Sequence, residues 1–177
     1  MNYNGRQIVQ NGIVTGEIPE ENIQPNGVDL NVIDFQRVIG NGHIPQEGRT
    51  LLPMKETVQP IDGGHGNMQY HLEPGIYEVT FQQGCKIPSG QRMNLIHRSS
   101  VARNGGQIVS SMFDSGFETD NIGTTIKLNV PVIIDYGARI CQAYCTSVNE
   151  VAPEDMYNGQ WQRDSQRVDG RERIDSN

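Results

Sequence analysis

Gly75-Ile76-Tyr77-Glu78-Val79-Thr80-Phe81 decides how this chain is built: it is a short run rich in β-branched and aromatic residues, entered through the turn formers Glu73-Pro74. Such residues suit a pleated strand, and a run this short between turn formers reads as a strand rather than a helix. Working outward, Gln91-Arg92-Met93-Asn94-Leu95-Ile96, Thr125-Ile126-Lys127-Leu128-Asn129-Val130 and Pro131-Val132-Ile133-Ile134-Asp135 share this texture and are likewise bounded by turn residues. Glycine occurs 20 times and proline 9 times, which supplies the punctuation an all-β chain needs. Helix is expected only from about Asn4 to Asn11 and from Ser100 to Asn104, where the Ser100 hydroxyl would cap a short turn through a later N–H.

At 177 residues the chain has the size of one domain and can bury a core. Its hydrophobic share of 35% lies below the usual value, so subunit contacts are expected to supplement burial. The balance of 14 basic to 21 acidic residues, net −7, argues against a general nucleic-acid surface, where clustered cations neutralise phosphates. Small anions held in a local basic pocket are the expected partners. No apolar run approaches the ~20 residues that span a bilayer, and Met1-Asn2-Tyr3-Asn4-Gly5-Arg6 lacks a signal peptide's hydrophobic stretch. No membrane partner is therefore expected, and the location expected is the cytoplasm of a cell or infected host. Cys85, Cys141 and Cys145 lack the C-x-x-C spacing of a zinc site and read as reduced strand residues. The zinc-dependent cytidine deaminases, which need a His/Cys-x-x-Cys cluster, are excluded with them.

Chemistry concentrates at Arg98-Ser99-Ser100, followed fourteen residues beyond Ser100 by Asp114 in Phe113-Asp114-Ser115-Gly116-Phe117. A guanidinium and two adjacent hydroxyls offer charge-assisted bonds to phosphate oxygens, and an acid in a neighbouring turn can orient a water for attack. That combination suits a triphosphate hydrolase. Each part also has a plain reading: Arg-Ser-Ser as a solvated strand end, Asp114 as a turn-capping carboxylate, Phe117 as a core aromatic.

Further segments stand in order along the chain. They are Ile23-Gln24-Pro25-Asn26-Gly27-Val28-Asp29-Leu30, Leu72-Glu73-Pro74-Gly75, Arg98-Ser99-Ser100-Val101-Ala102-Arg103, the Asp114 turn, Gly137-Ala138-Arg139-Ile140-Cys141-Gln142 and Tyr157-Asn158-Gly159-Gln160-Trp161-Gln162. In this order they resemble the dCTP deaminase/dUTPase superfamily, with the opening segment similar to the deaminase branch. The resemblance implies an all-β, distorted jelly-roll-like barrel of the dUTPase type with a short N-terminal helix, assembled as a homotrimer or a multiple of one, with active sites between subunits. It divides the chain into a barrel over residues 1–152 and a lid or tail over 153–177. The tail's composition alone would suit disorder instead.

The resemblance also implies roles. Asp114 orients the catalytic water. Arg98, Ser99, Ser100, Gln142 and Arg103 hold phosphates, while Arg139 supports the fold. Phe117 lies beside the deoxyribose. Asp29 holds Mg2+ through water, its plain reading being a turn-forming Asx after Asn26-Gly27. Tyr157, Gln162 and Arg163 belong to a lid that closes over the triphosphate. Where the family has Lys-Tyr-Gln this chain has Gln160-Trp161-Gln162, so one cation is missing, and Arg163, Arg167, Arg171 or Arg173 would have to supply it.

One departure separates two reactions. Deaminases of this family carry a Glu ten residues beyond that Asp, and here the count falls on Thr124, or on Thr125 with one inserted residue. Neither serves as a base near neutral pH. The expected activity is therefore hydrolysis of dUTP to dUMP and pyrophosphate. The alternatives are a dCTP deaminase, bifunctional or not, using Glu118 or another subunit's acid as its proton shuttle, and a non-catalytic nucleotide-binding regulator.

Overall fold

The structure is a computed structural model that describes residues 2–159, 161 and 162. A nine-stranded sheet forms its body, and seven strands follow one path. Their order is Gly106–Ile108, Gly123–Leu128, Gly75–Phe81, Gly27–Val38, Arg139–Ser147, Gln91–His97 and Met112–Phe113, every neighbour antiparallel. The first and last strands of this row are consecutive in sequence, separated only by Val109-Ser110-Ser111. Laid flat, six strand spacings would put those edges roughly 29 Å apart, whereas the four peptide steps from Ile108 to Met112 reach at most about 14 Å. The sheet must curl until its edges lie within that reach. The connector runs from one edge to the other: its Val109 N–H donates to Thr125 O at 2.7 Å, extending the first edge's pairing, and its Ser111 O accepts from the Leu95 N–H at 3.1 Å, extending the second's. Two three-stranded sheets accompany this curled sheet, as expected for an all-β barrel of the dUTPase type.

The sequence's β-prone runs take their places through side-chain alternation. Gly75–Phe81 sends Tyr77, Val79 and Phe81 inward and leaves Glu78 on the other face, half-buried. Gln91–His97 buries Met93 and Leu95 in the same way. Phe35 packs edge-on against Tyr70 and Tyr77, with centroids 5.0 and 6.3 Å apart, a geometry in which ring edges meet ring faces. Both buried phenols are satisfied, Tyr70 donating to Ile33 O and Tyr77 to Glu73 O at 2.7 Å each. Burial pushes the Tyr70 hydroxyl up to about 12, so this core holds no phenolate at neutral pH. Cys85, Cys141 and Cys145 are free and buried on strands, as their spacing suggested.

Helix α1 (Gly5–Gln10) matches the expected position and is closed by a capping box. Asn4 Oδ1 accepts from the Gln7 N–H at 2.9 Å, and Gln7 Oε1 accepts from the Asn4 N–H at 3.0 Å. Helix α2 (Ser99–Arg103) begins one residue earlier than expected, and Ser100 does not cap it. Strand Gln91–His97 delivers the chain at Arg98 in extended conformation, and the Val101 N–H closes the first turn on Arg98 O at 3.0 Å. Arg98 is thus the N-cap, and Ser99 and Ser100 fall inside the helix. Among the described residues no helix is long and apolar enough to cross a membrane.

Candidate active site

Three strands bring the residues of one cluster together. Gln142 lies opposite Asp29 on one side and Ile96 on the other, so the beginning of Arg139–Ser147 is flanked by Gly27–Val38 and by the end of Gln91–His97. There the Asp29 side chain is only 1% exposed. Arg98 Nε lies 3.1 Å and an Arg139 terminal nitrogen 3.7 Å from its Oδ2, and Gln142 Nε2 donates to its Oδ1 at 3.3 Å. Neither guanidinium aims an N–H at Oδ2, which makes no hydrogen bond. Burial outweighs both cations and the Gln142 bond, so the Asp29 carboxyl titrates above the ordinary aspartate range. Arg98 further donates to Arg139 O at 3.1 Å, and Arg139 donates to Glu21 O. Two guanidiniums against one carboxylate leave this corner positive, which suits phosphate oxygens. Ser99 and Ser100 are exposed beside it at the start of α2, and Arg103 is exposed on its last turn.

The expectation that Asp29 holds magnesium through water does not fit this geometry. A divalent cation drawn to its open oxygen would lie beside two guanidiniums, and the carboxylate has almost no surface to present. Among the described residues no group of three or more metal-ligating side chains comes together.

Asp114 sits elsewhere. It is exposed in a turn closed by the Phe117 N–H on Asp114 O at 3.0 Å, and the turn is anchored by Ser115, whose buried hydroxyl donates to Gln91 O at 2.7 Å. It borders a cavity of about 290 Å³ walled by Phe113, Phe117, Glu78, Thr125 and Trp161. That is near the small end of ligand pockets, which run from about 300 to 1,000 Å³. Phe117 is buried between Phe113 and Tyr157, with centroids 5.1 and 5.4 Å away. Asp114 stands next to the Phe113↔Met93 pair, whereas Arg98 lies beyond the opposite end of the Gln91–His97 strand. Six residues of strand separate the two levels, on the order of 20 Å. One protomer therefore does not bring the phosphate cluster to Asp114.

The described part of the tail folds onto the Asp114 turn. The Tyr157 N–H donates to Ser115 O at 2.8 Å. Gln162 binds twice, Nε2 donating to Gly116 O at 2.8 Å and Oε1 accepting from the Glu118 N–H at 3.1 Å, so one side-chain amide stands in for a strand partner. The Trp161 backbone N–H donates to Tyr157 Oη at 3.1 Å, and Trp161 lines the cavity. Arg163, expected to contact phosphate, lies outside the described residues, as do Gln160, Arg167, Arg171 and Arg173. Gly116 makes this contact possible: its φ of 94° disfavours other residues, and a Cβ there would fall 2.9 Å from Met156 Cβ. Gly116→Ala is expected to lift the tail while the barrel keeps its fold. A red shift of emission from Trp161, the chain's one tryptophan, would report it, and an unchanged spectrum would show that the turn absorbs the methyl.

Glu118 does not serve the cavity. It pairs with Lys86 at 3.7 Å, its side chain is 42% exposed, and it is absent from the cavity wall. Sequence reasoning missed the carboxylate that does reach the wall, Glu78, which stands opposite Thr125 in the ladder. Its signal was an acid on the outward face of the alternating Gly75–Phe81 run.

These features define an antiparallel β-barrel protein with a buried basic corner and a separate aromatic cavity bearing one acid at its mouth. The chain belongs to the dCTP deaminase-like family, whose model matches residues 5–145. A probable deoxyuridine 5'-triphosphate nucleotidohydrolase of Aeropyrum pernix is 28% identical over 163 residues, covering 92% of this chain and 98% of its own. A protein of the same description from Halobacterium salinarum is 26% identical over 147 residues, covering 83% and 87%. Among solved structures, the 2'-deoxycytidine 5'-triphosphate deaminase of Agrobacterium tumefaciens superposes with a TM-score of 0.61 at 14% identity. That match covers 81% of this chain and 47% of the longer one, and it concerns the fold alone.

Proposed function

We propose that the protein hydrolyses dUTP to dUMP and pyrophosphate. The observation that carries this reading is Asp114 at the mouth of a small aromatic cavity whose wall presents threonine at positions 124 and 125. The relatives described as probable dUTP nucleotidohydrolases support it. In the reaction, Asp114 accepts a proton from a water as the water oxygen attacks the α-phosphorus. The bond from that phosphorus to the bridging oxygen breaks, and pyrophosphate leaves. Arg98, Ser99, Ser100, Arg103 and Gln142 hold the triphosphate and offset the charge that develops on the leaving group, which is positioning plus electrostatics. Phe117 packs beside the deoxyribose, and the 153–177 tail acts as a lid on the barrel of residues 1–152, with Tyr157, Gln162 and Arg163 toward the nucleotide.

The distance of on the order of 20 Å between Arg98 and Asp114 supports a site shared between copies of the chain, the phosphate cluster of one facing the Asp114 turn of another. A homotrimer or a multiple of it satisfies that need. Light scattering of the full chain is expected to give three times 19.7 kDa, or a multiple of that trimer. A monomer at micromolar concentration would contradict a shared site. Cytoplasmic deoxynucleotide pools are where such an activity acts. Incubation with dUTP and dCTP separately, resolving ammonia, dUMP and pyrophosphate, tests the reaction. Ammonia from dCTP would replace this reading by deamination, and binding without products by a regulatory role.

A further inference from the structure

From the cavity we infer that Glu78 reads the edge of the nucleobase, accepting the N3–H of uracil while the Thr125 hydroxyl donates to O4. This deepens the dUTP reading and rests on it. Glu78 lies on Gly75–Phe81 and Thr125 on Gly123–Leu128, and the two are direct cross-strand partners. Side chains of such a pair project from the same face with Cβ atoms about 4.5–5.5 Å apart, a spacing from which two polar groups can meet adjacent atoms of one flat ring.

The remaining wall suits the body of that ring, since Phe113, Phe117, Leu52 and Trp161 are apolar surfaces. Glu78 is held from the side by Lys55, whose ammonium binds its Oε2. The pair is sheltered, with side-chain exposures of 13% for Lys55 and 29% for Glu78. Lys55 comes from Lys55–Thr57, a strand that pairs with Gly27–Val38, and it does not line the cavity. An ionised carboxylate accepts from several donors at once and donates to none, so after Lys55 it still has capacity for a ring N–H. Thr125 can donate or accept, and only its donor role complements O4 when Glu78 takes N3–H. Thr124, its neighbour in the strand, is otherwise engaged: its hydroxyl donates to Val109 O at 3.0 Å and lies 2.8 Å from Ser111 Oγ. A hydrogen bond to a charged acceptor in a sheltered site is among the stronger kinds, so it can set specificity.

The test uses the full chain and titration calorimetry with the non-hydrolysable α,β-imido analogue of dUTP and its N3-methyl form. Wild type is expected to lose about tenfold or more in affinity on N3-methylation. Glu78→Ala combined with Lys55→Met, which leaves no unpaired cation, should bind both forms nearly alike. Glu78→Gln, which keeps an acceptor, should restore part of the difference. The inference is overturned if the double variant, folded by its thermal melt, discriminates as wild type does. Should the double variant not fold, Glu78→Gln decides, since discrimination equal to wild type in kind and size would exclude a charged acceptor. Failure of the dUTP reading itself shows separately, as wild type that ignores the uracil analogue. The same cycle run with the dCTP analogue and its N4,N4-dimethyl form then asks whether Glu78 accepts an exocyclic N–H instead. Discrimination that vanishes with Glu78 upholds its role, and discrimination that persists, or no binding of either nucleotide, overturns it.

Discussion

Asp114→Asn is expected to slow dUTP hydrolysis by about 10²–10⁴ while leaving the affinity for a non-hydrolysable analogue unchanged. An amide keeps the size and polarity of the side chain but cannot accept the proton of an attacking water. The loss should therefore appear in kcat, with kcat/KM falling in parallel. The substitution is structurally cheap, because Asp114 is exposed and its turn is held by backbone, by Ser115 and by the Gly116 N–H on Ile87 O at 2.8 Å. A lowered melting temperature is not expected. Single-turnover assays with enzyme in excess separate chemistry from product release. A variant that turns over at a near-normal rate in that assay would remove Asp114 from the mechanism and return it to the role of a turn former.

What the sequence disclosed follows from the range over which each feature is encoded. Gly75–Phe81 and Gln91–His97 were legible because alternation is local and the turn residues beside them are explicit. Helix α1 was legible because Asn4 and Gln7 form a box within one turn. The start of α2 was not, since the conformation of Arg98 is imposed by the strand that delivers it, and no serine side chain competes for the cap. Asp29 reads in sequence as a polar residue after a turn, and only the pairing of Gly27–Val38 with Arg139–Ser147 places Gln142, Arg139 and Arg98 around it. Glu78 looks like an ordinary solvent-facing position of an alternating strand. Its meaning comes from Thr125, distant in sequence and adjacent only in the ladder. The polar composition of the tail suggested disorder as readily as a lid, because its docking rests on contacts distant in sequence: the Tyr157 N–H on Ser115 O, the Tyr157 ring on Phe117, and the Gln162 amide at the edge of the Asp114 turn.

The separation of Arg98 from Asp114 leads to the second large effect, recovery of activity from two inactive proteins. Arg98→Ala should also be nearly inactive with dUTP, since it removes the guanidinium that joins Asp29 to the phosphate corner. It should also be less stable, because the Asp29 carboxylate is left with Arg139 and Gln142 alone. Mixed with Asp114→Asn under conditions that exchange subunits, it should regain turnover. In a cyclic trimer each site takes its phosphate cluster from one copy and its Asp114 turn from the next, so a random equal mixture leaves roughly a quarter of the sites with both parts intact. Neither parent alone has such a site. A rise from near zero to roughly that fraction of wild-type activity, proportional to the extent of exchange, would establish that the site is shared. Exchange demonstrated by mass, with no return of turnover, would mean that both halves act within one chain. The tail or an unseen movement would then have to span the length of the Gln91–His97 strand.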